Sequence, residues 1–260
     1  MLHNLDPVFF HLGPLPIRWY PLAYIAGILA GFFYIKFISR KLKLNFSSQA
    51  LDDLFCFSII GIIISGRLGY ILIYDPGHYL AYPLEILKSW RGGMAFHGGL
   101  IGFIVAAFLV AKKHKVNPWL VLDLSACIAP LGIFFGRIAN FINGELFGRP
   151  TIMPWGVIFQ NTGGGSVPRH PSQIYEALTE GLLLFIIMNS ILFFTKARLR
   201  PDLLAGLFCI FYAAFRFIIE HFRMPDQQIG YLFNYFTMGQ MLSLAMLACG
   251  ISITLKQFRP

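Results

Sequence analysis

Apolar residues in this chain gather into long unbroken stretches rather than recurring on one helical face. Seven such stretches stand out, at about 17–36, 52–73, 94–111, 119–137, 174–194, 203–221 and 237–255. Crossing the hydrocarbon core of a bilayer takes about 20 consecutive apolar residues. The pattern predicts an all-α polytopic membrane protein with seven transmembrane helices. No charge run, low-complexity linker or repeat divides the stretches, so residues 1–260 read as a single integral membrane domain. The longest gap, about 138–173, holds "RPTIMPWGVIFQNTGGGSVPRHPSQ". Its Pro and Gly content argues against a long helix and for a small extracytoplasmic cap between helices 4 and 5. Within it "WGVIF" reads as a short strand, "TGGGS" as a flexible tip, and Ser172 as the N-cap of the fifth helix.

Charge orients the stretches. Lys36, Arg40, Lys41 and Lys43 follow the first, and Lys112, Lys113 and Lys115 the third. Lys196, Arg198 and Arg200 follow the fifth, and Lys256 and Arg259 the seventh. The alternate linkers hold only Lys88, Arg91, Arg149, Arg169 and Arg223, over far more residues. The positive-inside rule puts the first set in the cytoplasm, the N-terminus outside and the C-terminus inside. The net charge of +9 is accounted for by this bias, so nucleic acid is not an expected partner. Composition agrees, with 57% hydrophobic and 13% charged residues where soluble domains carry about 25% charged. Cys56, Cys127, Cys209 and Cys249 fall inside apolar stretches without a CxxC pair or a Cys/His cluster, and read as packing residues. The first twenty residues lack a basic n-region and a small-residue cleavage site, and do not read as a removable signal peptide.

Four cations fall inside the stretches instead: Arg18, Arg67, Arg137 and Arg216. With the orientation above, all four lie toward the outer leaflet, as do His97, Glu176 and Glu180. A central intramembrane Arg costs about 2.5–3.5 kcal/mol, so such residues mark sites more often than decoration. Arg presents a planar fork of donors that fits phosphate oxygens. An anion site open to the outer leaflet follows, with a phospholipid head group as the obvious anion. An isolated Arg that snorkels or pairs locally is the bland alternative, and a transporter for an anionic solute fits the arginines as well as an enzyme does. "WRGGMAFHGGLIG" (90–102) sets His97 among glycines. Gly98 there permits close approach by a ligand or a neighbouring backbone.

"GRIANFINGELFGR" (136–149) resembles the G-R-x-x-N-F-x-N-x-E-x-x-G signature of the bacterial prolipoprotein diacylglyceryl transferases. Gly136, Arg137, Asn140, Phe141, Asn143, Glu145 and Gly148 match it. "HGGLIG" from His97, "GRLGY" (66–70), "RHPSQIYE" (169–176) and "AFRFIIEHFRMPD" (214–226) are similar to further blocks, in family order. Pro21 and Phe147 depart from the family's common residues. The resemblance implies an inner-membrane transferase with seven spans and an active site toward the outer leaflet. Its expected partners are phosphatidylglycerol, prolipoprotein signal peptides with a lipobox cysteine, and the bilayer. No metal or other cofactor is expected.

The expected reaction forms a thioether on the lipobox cysteine and releases glycerol phosphate. Arg137 and Arg216 are the expected phosphate clamp. His97 is the candidate base, or else orients the head group. Asn140 and Asn143 suit glycerol hydroxyls or the signal-peptide backbone, and Glu145 is expected to hold an arginine. Tyr20 and Arg67 are expected walls of the pocket, with Gly98 and Gly148 in the substrate-binding set. Glu220 and Arg223 are expected to support the clamp from behind.

Overall fold

The computed structural model describes residues 1–44, 46–88, 92–225, 231–232 and 235–257. Arg91, Asp226 and Arg259, named above, lie outside the described residues. A hairpin of β1 (Val8–Leu12) and β2 (Leu15–Arg18) leads into α1 (Trp19–Lys41). There follow α2 (Ser48–Tyr74), the short α3 (Pro76–Ala81), α4 (Phe96–His114) and α5 (Pro118–Asn143). A continuous helix then runs over Ser172–Phe194. Its parts are α6 (Ser172–Glu176), a π-helical segment (Ala177–Leu183) and α7 (Leu184–Phe194). The chain ends with α8 (Leu203–Ile219), the short pair β3 (Tyr231–Leu232) and β4 (Phe236–Thr237), and α9 (Met238–Lys256).

A helix covers each of the stretches expected from the sequence. Five are long and apolar enough to cross a membrane: α1, α2, α5, Ser172–Phe194 and α9. Their outward faces are apolar too. On α2, Ile60, Ile64, Leu68 and Leu72 are 57, 54, 45 and 70% exposed, which suits hydrocarbon and not water as their solvent. The protein is therefore a mostly helical, polytopic membrane protein.

The helices form two compact units, Met1–Tyr34 with Asp123–Pro260, and Ile35–Leu122. In the second unit α2 packs on α4 through small residues. A Cβ added at Gly98 would lie 2.2 Å from the Ser65 carbonyl oxygen, and one at Gly102 would lie 2.1 Å from that of Gly61. Gly61, Ser65 and Gly69 thus face Gly98, Gly102 and Ala106, each set spaced by four, which lets two backbones meet where no hydrophobic force drives association. Ser47 caps α2 by accepting from Ala50 N at 3.1 Å. In the first unit the same device recurs: Gly206 on α8 meets α9 at Thr254, and Gly181 meets Phe134 on α5. Asp123 accepts from Asp202 N (2.9 Å) and Ala205 N (2.7 Å), so a carboxylate on α5 caps the start of α8. Thr237 and Gln240 form a capping box on α9.

Several local expectations change. Arg18 ends β2 instead of opening α1, because Val8 pairs with it across the hairpin. Ser172 does not cap the fifth helix: its hydroxyl donates to Leu146 O at 3.0 Å, and Pro171 occupies the cap position. "WGVIF" forms no full strand, since Val157 and Ile158 make only isolated bridges, to Arg169 and Leu2.

Candidate active site

Two buried carboxylates set the chemistry of the first unit. Glu176 and Glu180 lie one turn apart on a helix otherwise apolar around them, and both are fully buried. A buried charge persists only if paired, and α5 and α8 bring the partners. Arg137 Nε lies 3.0 Å from Glu176 Oε2, and Arg223 Nη1 lies 2.7 Å from Oε1. Arg216 Nη1 also donates to Glu176 Oε1. Arg216 then reaches Glu180 (3.7 Å) and, through Nη2, Glu220 (2.9 Å). Arg223 Nε stands 3.6 Å from the same Glu220 oxygen. Thr237 donates to Glu220 Oε1 at 3.0 Å, and a Cβ at Gly239 would lie 2.6 Å from that carboxyl carbon. Three guanidinium groups thus meet three carboxylates.

The three cations are not equally committed. Both Nη atoms of Arg216 are engaged by carboxylates. Arg223 is 9% exposed and held between Glu176 and Glu220. Arg137 meets Glu176 through Nε, and among the described residues neither of its Nη atoms has a hydrogen bond; its side chain is 20% exposed, the most of the three. Its fork of donors is therefore anchored at the root and unspent at the tip. Glu180 is unequal in the opposite sense: among the described residues neither of its oxygens has a hydrogen-bond donor. It sits in the π-helical segment, where the Thr179 hydroxyl takes the Tyr175 carbonyl at 2.7 Å. Single π turns inside α-helices recur at functional sites.

The "GRIANFINGELFGR" stretch explains itself locally. Asn140 Nδ2 (2.7 Å) and Asn143 Nδ2 (3.3 Å) both donate to Glu145 Oε1. The amide of Gln173 donates to Glu145 O at 2.6 Å. The carboxylate on Arg137 is Glu176, so the arginine partner expected for Glu145 is replaced by the two amides of its own turn. Asn143 Oδ1 is buried with no hydrogen-bond partner among the described residues, an acceptor beside this turn. Tyr20, on α1, lies close enough to Glu145 and Arg137 to feel both charges, and shares a hydrogen bond of 3.0 Å with Tyr24. Gly148 is a backbone requirement: a Cβ there would meet Phe222 O at 2.4 Å and His170 O at 2.7 Å. The loop it starts is pinned by Arg149 Nε to Arg223 O (2.8 Å) and by Arg169 Nε to Gly164 O (2.7 Å). Beside it, His170 Nδ1 lies 3.1 Å from the Tyr175 hydroxyl, and burial holds this imidazole below its ordinary range.

The remaining expected residues belong to the second unit. Arg67 is buried and donates to the carbonyls of Glu85 (2.6 Å), Ile86 (3.0 Å), Gly92 (2.6 Å) and Gly93 (3.2 Å), with Tyr79 5.0 Å from its guanidinium. Four carbonyls solvate it, and its visible work is to hold the chain after α3. Gly98 is required by the Ser65 carbonyl across the helix pair. His97 is exposed at the start of α4 and engaged by other groups of the protein. The sequence reading missed Gln173, Glu176 and Glu180 as site residues, though two carboxylates four apart in an apolar stretch were a visible signal.

A family model described as prolipoprotein diacylglyceryl transferase matches residues 7–256. The chain is 49% identical over 253 residues to the phosphatidylglycerol–prolipoprotein diacylglyceryl transferase of Wolbachia pipientis wMel, covering 97% of this chain and 95% of that one. The enzymes of the same name from Rickettsia akari (strain Hartford) and Rickettsia canadensis (strain McKiel) are each 49% identical, over 95% and 96% of this chain and the same shares of theirs. With 250 residues matched by the family model and relatives this similar along nearly their whole length, the chain belongs to the prolipoprotein diacylglyceryl transferase family.

Proposed function

We propose that this transferase moves the diacylglyceryl group of phosphatidylglycerol to the thiol of a lipobox cysteine in prolipoprotein signal peptides, the first step of lipoprotein maturation. The observation that carries the site assignment is Arg137: rooted on a fully buried Glu176, with two Nη atoms unspent. In the reaction a C–S bond forms at the glyceryl carbon as the C–O bond to phosphate breaks. The thiol proton passes to a base and glycerol phosphate leaves. Negative charge accumulates on the leaving phosphate, and a preorganised guanidinium aimed at it lowers the barrier. Arg137 supplies that fork. Arg216 completes the clamp by exchanging its longest pair, the 3.7 Å contact with Glu180, for a phosphate oxygen. Glu176, Glu220 and Arg223 hold both arginines at a fixed angle.

Asn140 and Asn143 are oriented by Glu145, and Asn143 Oδ1 offers the glycerol hydroxyls an acceptor. Tyr20 is a wall of the same pocket, and Gly148 keeps its edge closed against 222 and 170. His97 keeps its two proposed roles, base for the thiol or support of the head group. Arg67 and Gly98 serve by shaping the second unit. The steps written here need no metal or other cofactor.

The same reading makes the whole chain one membrane-integral domain of seven spans, α4 and the 17-residue α8 joining the five helices named above. The N-terminus lies outside, the C-terminus in the cytoplasm, and residues 138–173 form an outer cap beside the active site. The test is a mass spectrum of a lipobox peptide incubated with the purified protein and phosphatidylglycerol. A diacylglyceryl mass gain on cysteine that falls at least about 100-fold with Arg137→Ala is expected, the scale of losing one oriented transition-state donor. His97→Gln then separates the base from the head-group role. No mass gain from folded wild-type protein would sink the proposal and favour lipid transport.

A further inference from the structure

The second unit carries an open groove of about 540 Å³ along the end of α4. Its floor is apolar: Ile104, Val105, Phe108 and Leu109, continued by Val116 and Pro118. At one end its lining changes to Lys112 and Lys115. The volume falls within the range of small-molecule sites, about 300–1,000 Å³.

Besides orienting the chain, neither lysine is spent on a partner among the described residues. Lys113, between them, pairs with Asp53 at 2.7 Å, and His114 meets the same carboxylate at 2.6 Å. Among the described residues Lys112 and Lys115 have neither ion pair nor side-chain hydrogen bond. Nor are their ammonium groups needed to cap α4. Lys115 takes a left-handed conformation (φ 54°), and its own N–H and that of Val116 satisfy the Ala111 carbonyl at the helix end. Trp119, which contacts Phe108 edge-on at 6.0 Å, adds the aromatic residue typical of a membrane–water boundary.

From this juxtaposition we infer that the groove is a binding site for an anionic glycerophospholipid. One acyl chain lies along Ile104, Val105, Phe108 and Leu109, and the head-group phosphate sits between Lys112 and Lys115. Charge complementarity selects the occupant: two unpaired ammonium groups favour a head group of net negative charge over a zwitterionic one carrying its own ammonium. The apolar floor selects a lipid over free phosphate. No residue of this groove belongs to the arginine–carboxylate cluster, so the inference stands apart from the transfer reaction.

Native mass spectrometry of the full-length protein tests it, with dioleoyl-phosphatidylglycerol and dioleoyl-phosphatidylethanolamine as competing probes. Wild type is expected to retain one tightly bound phosphatidylglycerol that Lys112→Gln/Lys115→Gln loses, with the preference over phosphatidylethanolamine falling about tenfold or more, from about 1 kcal/mol for each lysine near an anionic lipid surface. Lys112→Arg/Lys115→Arg should restore it. Leu109→Trp, which fills the floor and keeps both charges, should lose the same lipid, and millimolar inorganic phosphate should not displace it. The loss should recur in an Arg137→Ala background, where the proposed reacting site is disabled. Unchanged retention and preference in the double Gln variant would overturn the inference. So would displacement by phosphate, which would mean a simple anion site, or retention in Leu109→Trp, which would mean that no acyl chain uses the floor.

Discussion

Glu176 is bound by three arginines at once, which makes its removal asymmetric. Glu176→Gln leaves three guanidinium groups facing two carboxylates around a fully buried position. Breaking a buried pair by deleting one partner costs about 3–5 kcal/mol. The variant should melt well below wild type in detergent and lose activity with it. Glu180→Gln should behave differently. Neither of its oxygens holds a hydrogen bond, so the isosteric amide relieves a buried charge at little packing cost, and melting should stay within a few degrees of wild type or rise. If both variants melted alike, the unequal roles assigned here would be wrong. His170 gives a pH signature. Its folded form is held below the ordinary value of 6.5 by burial, so the unfolded chain binds the proton more readily. Stability from this group is complete above about pH 6.5 and declines as pH falls through the unfolded value. His170→Gln should flatten that acid-side decline in a plot of Tm against pH. The sequence made Arg137 and Arg216 readable because polar residues in apolar stretches are conspicuous, and Asn140 and Asn143 readable through the signature that "GRIANFINGELFGR" resembles. It did not pair them: Glu176 lies 39 positions from Arg137 and 40 from Arg216, and only the packing of α5, α6 and α8 joins them.

Between α2 and α4, glycine is a packing residue first. Gly102→Val would drive a branched side chain into the Gly61 carbonyl, which even a bare Cβ approaches to 2.1 Å. Overpacking of this kind costs about 1–3 kcal/mol, and the helices must part to accept it. The expected result is a lower melting temperature and faster proteolysis of the second unit. A melting curve equal to wild type would refute the contact. Asp123 acts at the same scale in the first unit. Asp123→Ala orphans two backbone donors at the start of α8, at about 1–3 kcal/mol each. Hydrogen exchange at 203–206 should accelerate more than at the middle of α8. The apolar stretches foretold where the helices lie, because hydrophobic length is written in consecutive residues. The β1–β2 hairpin was not foretold, since "VFFHLGPLPIR" does not alternate cleanly, although Gly13 at φ 59° opens a two-residue loop and was a visible turn signal. The π-helical segment also left no mark: its cause is the fit of Glu180 and Gly181 among partners on other helices. For Gly98 the sequence leaves a ligand or a neighbouring backbone open, and the group found against it is the Ser65 carbonyl.

For the whole molecule, the quantity that organises everything else is which side each linker faces. In the topology proposed from the Lys and Arg bias, 112–118 and 195–202 lie in the cytoplasm and the long 138–173 segment outside. Under that proposal the arginine–carboxylate cluster would face the outer leaflet, on the side proposed for the signal-peptide cysteine, and the lysine-edged groove of α4 the inner leaflet. Both assignments therefore rise or fall with one topology. Single cysteines at Gly163 and at the exposed Leu199, introduced with the four native cysteines replaced by Ala, separate the possibilities through a membrane-impermeant thiol reagent on intact spheroplasts. Gly163 is a suitable position because a Cβ there meets nothing within 4 Å, although its φ of 91° makes the substitution mildly strained. The expected outcome is labelling at 163 without permeabilisation and at 199 only after it. The reverse pattern would place the arginine cluster at the cytoplasmic face, out of reach of an emerging lipobox. Labelling of both from outside would mean an even number of crossings between them, and would remove the Ser172–Phe194 helix as a span despite its 23 residues.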